Sequence, residues 1–368
     1  MQTIAYYISD YGYGHATRCI AIIRELIVIR PDLRVIVCTS FSMDFIKQSM
    51  APYSQVQYRN VNNDIGYFLQ QGSLEPDITK LKEEYRLYIE SVDERVQKEV
   101  DFLLELKVEL VISDIAPIPF ISASSLGIPS VGLSNFTWYT AYRNWLTEYE
   151  LVFLKNAYSK MDHYLAFGGA NEPLWGRLSN DSFQLVSREL DMGEVARIRD
   201  EANIEQSKML VYVGLGMKVN MNIISSWKIW DSTEVAFIVS SSHGFNHPNV
   251  TVIPHHYLES QNYVAACDLI ITKAGWGTAS EAVLANRPLL ILKRNDMNED
   301  KNTIRYLKHK RLCSLKDWDD LRVESLTKDQ INQIINKYNR DHTALNDKQS
   351  IVQRINEIIE MKHRRHKL

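Results

Sequence analysis

Two stretches of this chain follow one plan, and that plan restricts the fold more than any other feature. Residues 110–133 read LVISDIAPIPFISASSLGIPSVGL, and residues 269–292 read LIITKAGWGTASEAVLANRPLLIL. Each runs from a buried strand through a loop into a helix, then through a proline into a second buried strand. Leu110 to Pro129 and Leu269 to Pro288 have the same spacing. Parallel strands need a crossover, and a helix supplies it. Two matching copies in 368 residues, long for one core, predict an α/β protein with two similar Rossmann-like halves. Open α/β sheets bind ligands at the carboxyl ends of their strands, so the halves are expected to face a shared cleft.

Apolar runs and turn formers place strands at 3–8, 34–39, 55–59, 109–113, 129–133 and 163–167, then at 209–214, 235–239, 250–253, 268–272 and 289–292. Helices are expected at 15–29, 41–49, 77–106, 117–126 and 140–159, then at 191–202, 220–230, 258–266, 277–285 and 298–309. Segment 60–76 lacks periodicity and reads as a cleft-side loop. Segment 168–190 carries turn formers and reads as the link between halves. The expected division is therefore 1–190, 191–326 and a helical segment 327–368 that packs back across both halves.

Hydrophobic content of 45% and charged content of 24% are ordinary for a soluble globular chain, and a net charge of -3 gives no field for nucleic acid. Cys19, Cys38, Cys267 and Cys313 have no paired spacing, so reduced core thiols and a cytoplasmic setting are expected. Thr3–Ile8 already reads as buried strand, so no leader is expected, and no apolar run is long enough for a bilayer. The basic tail Lys362–Lys367 reads as a solvated end, with weak contact to anionic lipid as the alternative. His243, His247, His255 and His256 are loosely spaced without cysteine or carboxylate partners, so no metal is expected.

Two loops carry the chemistry. In residues 273–282, KAGWGTASEA, Gly275 and Gly277 allow close backbone approach. Thr278 and Ser280 add hydroxyls where a helix start favours an anion, and Glu281, one turn in, is placed to accept from ribose hydroxyls. That is equipment for a nucleotide diphosphate. In residues 8–18, ISDYGYGHATR, Gly12 and Gly14 make a tight turn and His15 opens a helix, with Arg18 on the same face. An imidazole there is a candidate base; a histidine capping its own helix is the other reading. Asp114, ending a strand, orients His15, accepts from a substrate hydroxyl, or caps the next helix. Asn135, Thr137 and Trp138 follow another strand and either touch a sugar or, for Trp138, anchor the core.

With GYGHATR at one end and KAGWGTASEA at the other, the chain resembles the two-domain GT-B glycosyltransferases. Similar strings occur in the glycosyltransferase-like region of arabinokinase-type proteins and in the lipid-II-forming GlcNAc transferase; no sugar-kinase motif follows here. The resemblance implies a metal-independent hexosyl or N-acetylhexosaminyl transferase with no cofactor, whose partners are a nucleotide sugar, UDP by family habit, and a hydroxyl acceptor. It implies that Gly275, Gly277 and Thr278 cradle the diphosphate and that Glu281 binds the ribose. Gly214 and Gly216 would approach phosphate or sugar, and residues 254–257, with His255, would lie by the base. One of Asn298, Glu299 and Asp300 would hold sugar hydroxyls, with Glu299 favoured. His15 would be the base, with Gly12, Gly14, Arg18, Asn135 and Trp138 around it. A UDP-sugar hydrolase using the same histidine on water, and a nucleotide-sugar-binding module without chemistry, are the alternatives.

Overall fold

The computed structural model describes residues 2–70, 75–202, 208–216, 225–240, 246–294, 297–340 and 345–365. They form two compact units. The first comprises residues 1–68, 76–186 and 346–368; the second comprises 69–75 and 187–345.

The first unit holds a parallel sheet of seven strands: β1 (Gln2–Ile8), β2 (Leu33–Thr39), β3 (Val56–Asn60), β4 (Leu110–Asp114), β5 (Ser130–Ser134), β6 (His163–Ala166) and β7 (Ser179–Ser182). Their order is β3-β2-β1-β4-β5-β6-β7. The order reverses between β1 and β4, so the loops leaving those two strands meet at the topological switch point, where open α/β sheets bind ligands. The first six strands follow the expected apolar runs. β7, SNDS, has no apolar residue and joins as an edge strand through its backbone, so periodicity missed it.

Helices α1 (Tyr13–Ile29), α2 (Met43–Ser49), α3 (Ile78–Glu90), α4 (Val92–Glu105), α5 (Ile118–Leu126), α6 (Trp138–Tyr142) and α7 (Val152–Tyr158) connect them. The expected helix 77–106 is two helices meeting at Ser91, and the expected helix 140–159 is α6 and α7 separated by turns. The C-terminal helix Lys348–Arg365 packs on α1 through Ile351, Val352, Ile355, Ile358 and Ile359, all buried. That stripe follows the helical repeat, and burying each side chain contributes about 2 kcal/mol.

The second unit holds a parallel sheet of six strands: β8 (Met209–Gly214), β9 (Val235–Val239), β10 (Val250–Val252), β11 (Leu269–Lys273), β12 (Leu289–Leu292) and β13 (Cys313–Lys316). The order is β10-β9-β8-β11-β12-β13, and its switch point lies between β8 and β11. β13 is a half-buried strand that the sequence reading left out. Residues 220–224 of the expected helix 220–230 lie outside the described residues, and Lys228–Asp231 form a single tight turn. The expected segment 327–361 is two helices, Lys328–Lys337 in the second unit and Lys348–Arg365 in the first. No helix among the described residues is long and apolar enough to cross a membrane.

Candidate active site

At the switch point of the first sheet, four predicted residues come together. Gly12, at φ 91, occupies the left-handed region that glycine tolerates, and this turns the chain from β1 into α1. The turn puts His15 on the first turn of α1 and Arg18 one turn further. Asp114 ends β4 and is fully buried. His15 Nδ1 lies 3.1 Å from an Asp114 oxygen. Arg18 Nε donates to Asp114 at 2.8 Å, and its second nitrogen bonds the other carboxylate oxygen. A further arm of Arg18 donates to Asn135 Oδ1 at 2.7 Å. The Cys19 thiol donates to Asp114 at 3.2 Å, held protonated by burial.

Burial by itself would raise the Asp114 carboxyl. Arg18, and after it His15, more than reverse this and hold it well below the usual carboxylate range. Asp114 is therefore an anion at any working pH. Arg18 Nη2 also lies 2.9 Å from His15 Nδ1. The ring nitrogen cannot donate to Asp114 and accept from Arg18 at once. With its proton toward Asp114, Nε2 is left as an acceptor, the state a base needs.

Asp114 is also aimed by strain. Ile115 has φ 57, a region that β-branched residues avoid, and its carbonyl is pinned by the Tyr158 hydroxyl at 2.6 Å. Such strain costs about 1–3 kcal/mol and marks functional turns. Nothing in the residue types announced it.

Trp138 belongs to the core. It is buried, stacked on Tyr142 at 5.2 Å, and met edge-on by Tyr11, Tyr67 and Phe136. Its indole donates to Asp64 at 2.9 Å. Gly14 is exposed on the first turn, where its carbonyl accepts from Thr17. Sequence reading also missed Asp10, beside the glycine turn. One carboxylate oxygen accepts from the Ser40 and Phe41 amides and the Thr39 hydroxyl, and the other from the Asn63 amide. Asp10 thus ties the loops after β1, β2 and β3 together.

Asp64 is pushed up to about 7, first by burial and then by the Asp10 charge, against the pull of the Trp138 donor. An unfolded aspartate titrates near 3.9, so between roughly pH 4 and 7 the folded chain binds the extra proton. Stability from this group is complete below the lower value and is lost as pH rises through about 7. Urea midpoints across pH 5–8 are expected to fall less steeply in Asp64→Asn than in the parent. Equal slopes would show that Asp64 does not titrate there.

In the second unit, β11 ends at Lys273 and the chain turns at Gly275 into the helix Trp276–Leu284. The first turn holds no acid, and Gly277 and Thr278 are half-buried there. Gly216, which follows β8, has φ 84; a Cβ on it would lie 3.0 Å from Lys273 Cε. A Cβ on Gly275 would lie 3.5 Å from the same carbon. The two glycines therefore flank the stem of Lys273 at the mouth of the helix, at the second switch point. At Gly214 the space of a Cβ is taken by the Tyr212 ring, 2.4 Å away, so there the bareness answers to Tyr212.

Ser280 is fully buried. Glu281 is buried and receives Arg188 Nη2 at 3.0 Å. Arg188, in the stretch read as a link, also donates to the Leu258 carbonyl and the Ser260 hydroxyl. Asp300 is buried and held bidentately by Arg294, which leaves Glu299, half-buried on the first turn of Asn298–His309, as the more accessible acid. His255 is exposed in the loop after β10. Among the described residues no three histidines, cysteines or carboxylates gather into a metal set; His243 lies outside them.

No family model matches the chain. It is similar to L-arabinokinase of Arabidopsis thaliana, 24% identical over 307 residues, which cover 80% of this chain and 28% of that protein. The chain thus spans less than a third of that relative. Glycosyltransferase SnogD from Streptomyces nogalater superposes with a TM-score of 0.63 at 13% identity, over 98% of this chain and 99% of that one. UGT89C1 of Arabidopsis thaliana gives 0.61 at 12% identity, over 92% and 90%. UGT2 of Phytolacca americana, solved with UDP-2-fluoro-glucose and pterostilbene, gives 0.60 at 11% identity, over 94% and 92%.

The fold is GT-B.

In this GT-B chain both switch points carry built loops: the His15–Asp114–Arg18 cluster in one unit, and the Lys273 mouth in the other. Lys273 stood inside the motif that sequence reading singled out, with no role assigned. Arg188 carried no signal, because a lone arginine among turn formers reads as surface.

Proposed function

We propose that the chain transfers a sugar from a nucleoside-diphosphate sugar, with UDP as the nucleotide, to a hydroxyl acceptor. The observation that supports this most is the His15–Asp114 contact at the switch point of a GT-B unit. His15 Nε2 takes the proton of the acceptor hydroxyl as its oxygen bonds to the anomeric carbon. The bond from that carbon to the diphosphate oxygen breaks, and the diphosphate leaves with its charge. Asp114 holds the Nδ1 proton and stabilises the imidazolium that forms. The helix N-terminus at Gly275–Thr278 and the Lys273 ammonium meet the leaving charge, a role that needs no metal. Glu281 takes the ribose and Glu299 a sugar hydroxyl.

UDP is expected to raise the melting temperature through mass action. Lys273→Met should weaken UDP roughly tenfold to a hundredfold, the worth of a charge-assisted hydrogen bond. Glu281→Gln should weaken it less, because the amide keeps an acceptor for buried Arg188, whereas alanine would leave that guanidinium with Glu259, at 3.5 Å, as its carboxylate contact. A UDP response unchanged in Lys273→Met removes the diphosphate assignment. Consumption of the sugar nucleotide at full rate without any acceptor would replace transfer by hydrolysis.

A further inference from the structure

A cavity of about 290 Å³ lies against the start of α4 in the first unit, near the lower end for small-molecule pockets. Its wall is apolar at Val61, Ile118 and Pro119 and otherwise polar. Two carboxylates and three cations line it, and two of the cations are neutralised there. Arg59 pairs with buried Glu99 at 2.7 Å, and Glu99 also accepts from the Tyr7 hydroxyl at 2.6 Å. Lys98 pairs with Glu94.

Arg95 differs. Its Nε donates to the Ser91 hydroxyl at 2.8 Å, its Nη1 to the Asn62 carbonyl at 2.9 Å, and its guanidinium lies 5.1 Å from the Tyr88 ring centre. All three partners are neutral, and among the described residues Arg95 makes no ion pair. The helix break itself serves this arrangement. Ser91 stands at the start of α4 with Glu94 three residues on, the pattern of a capping box, yet its side chain does not cap. The hydroxyl instead donates to the Tyr88 carbonyl and accepts from Arg95. A local cap is given up, and a guanidinium that makes no ion pair among the described residues is tied to neutral partners at a cavity edge, with the Glu94 charge acting on it only at longer range.

We propose that this cavity binds a small oxyanion-bearing, hydroxylated molecule, with Arg95 as the group that meets the phosphate or carboxylate and Lys98 as the second cation. None of the lining residues belongs to the His15 cluster, and the proposal does not depend on the proposed transfer reaction. Three probes separate the anion sources: inorganic phosphate, glucose 6-phosphate and glucuronate, titrated calorimetrically into the full chain.

At least one is expected to bind saturably, and more weakly as salt rises. Arg95→Gln should lose roughly tenfold to a hundredfold in affinity, with circular dichroism and the UDP response unchanged. Glu94→Gln should bind roughly twofold to fivefold tighter, because it frees Lys98 from a surface ion pair of modest strength. The opposite signs at adjacent residues would not arise from misfolding. No saturable binding by any probe, or equal binding in the parent and Arg95→Gln, would overturn the proposal. Loss of the UDP response alone would count against the transferase reading and leave this one standing.

Discussion

If His15 is the base of the proposed sugar transfer, replacing it with asparagine is expected to slow that reaction by roughly 100- to 10,000-fold, the usual worth of a positioned base. The asparagine amide sits near the place of Nδ1, so it keeps an N–H for Asp114 and for the packing around Arg18. It has no equivalent of Nε2 and cannot take the acceptor proton. The change should therefore appear in turnover, with UDP binding and urea midpoint close to those of the parent. Single-turnover transfer to a hydroxyl acceptor checks it. Transfer at the parental rate would remove His15 from the chemistry and reduce it to a ligand of Asp114.

Asp114→Ala is expected to cost about 3–5 kcal/mol in the unfolding of the first unit, because it strands the buried Arg18 charge. Asn135 and Ser134 remain as neutral acceptors but supply no opposite charge. The expected signature is a rescue. Asp114→Leu combined with Arg18→Met removes both charges, and apolar replacements of a buried pair are often neutral or stabilising. The double variant should regain most of the lost stability while remaining inactive, since His15 then lacks its orienting carboxylate. Urea denaturation followed by circular dichroism reads the stability. Additive losses in the double variant would show that the pair is not the source of the cost.

The loops at both switch points were legible in the sequence because glycine, histidine and proline have few alternative uses in those patterns. GYGHATR marked the turn that puts His15 and Arg18 on one helix face, and the second glycine loop marked the helix start beside Lys273. The central strands were legible because parallel strands are buried on both faces and read as unbroken apolar runs. β7 and β13 lacked that signal: an edge strand is held by backbone hydrogen bonds that any side chain permits. The break at Ser91 was hidden because the apolar stripe of α3 continues into α4, and no proline or glycine stands between them.

Residue order by itself determined two doubly wound parallel units and the glycine turns between strand and helix, since periodicity and backbone freedom are local properties of the chain. Tertiary structure alone decided which distant groups share charge. Arg18 with Asp114, Arg188 with Glu281 and Arg294 with Asp300 are buried pairs, and the first two join residues far apart in the sequence. The physical reason is that a charge becomes costly only once the fold has taken it out of water, so its partner is selected by burial, which no single segment encodes.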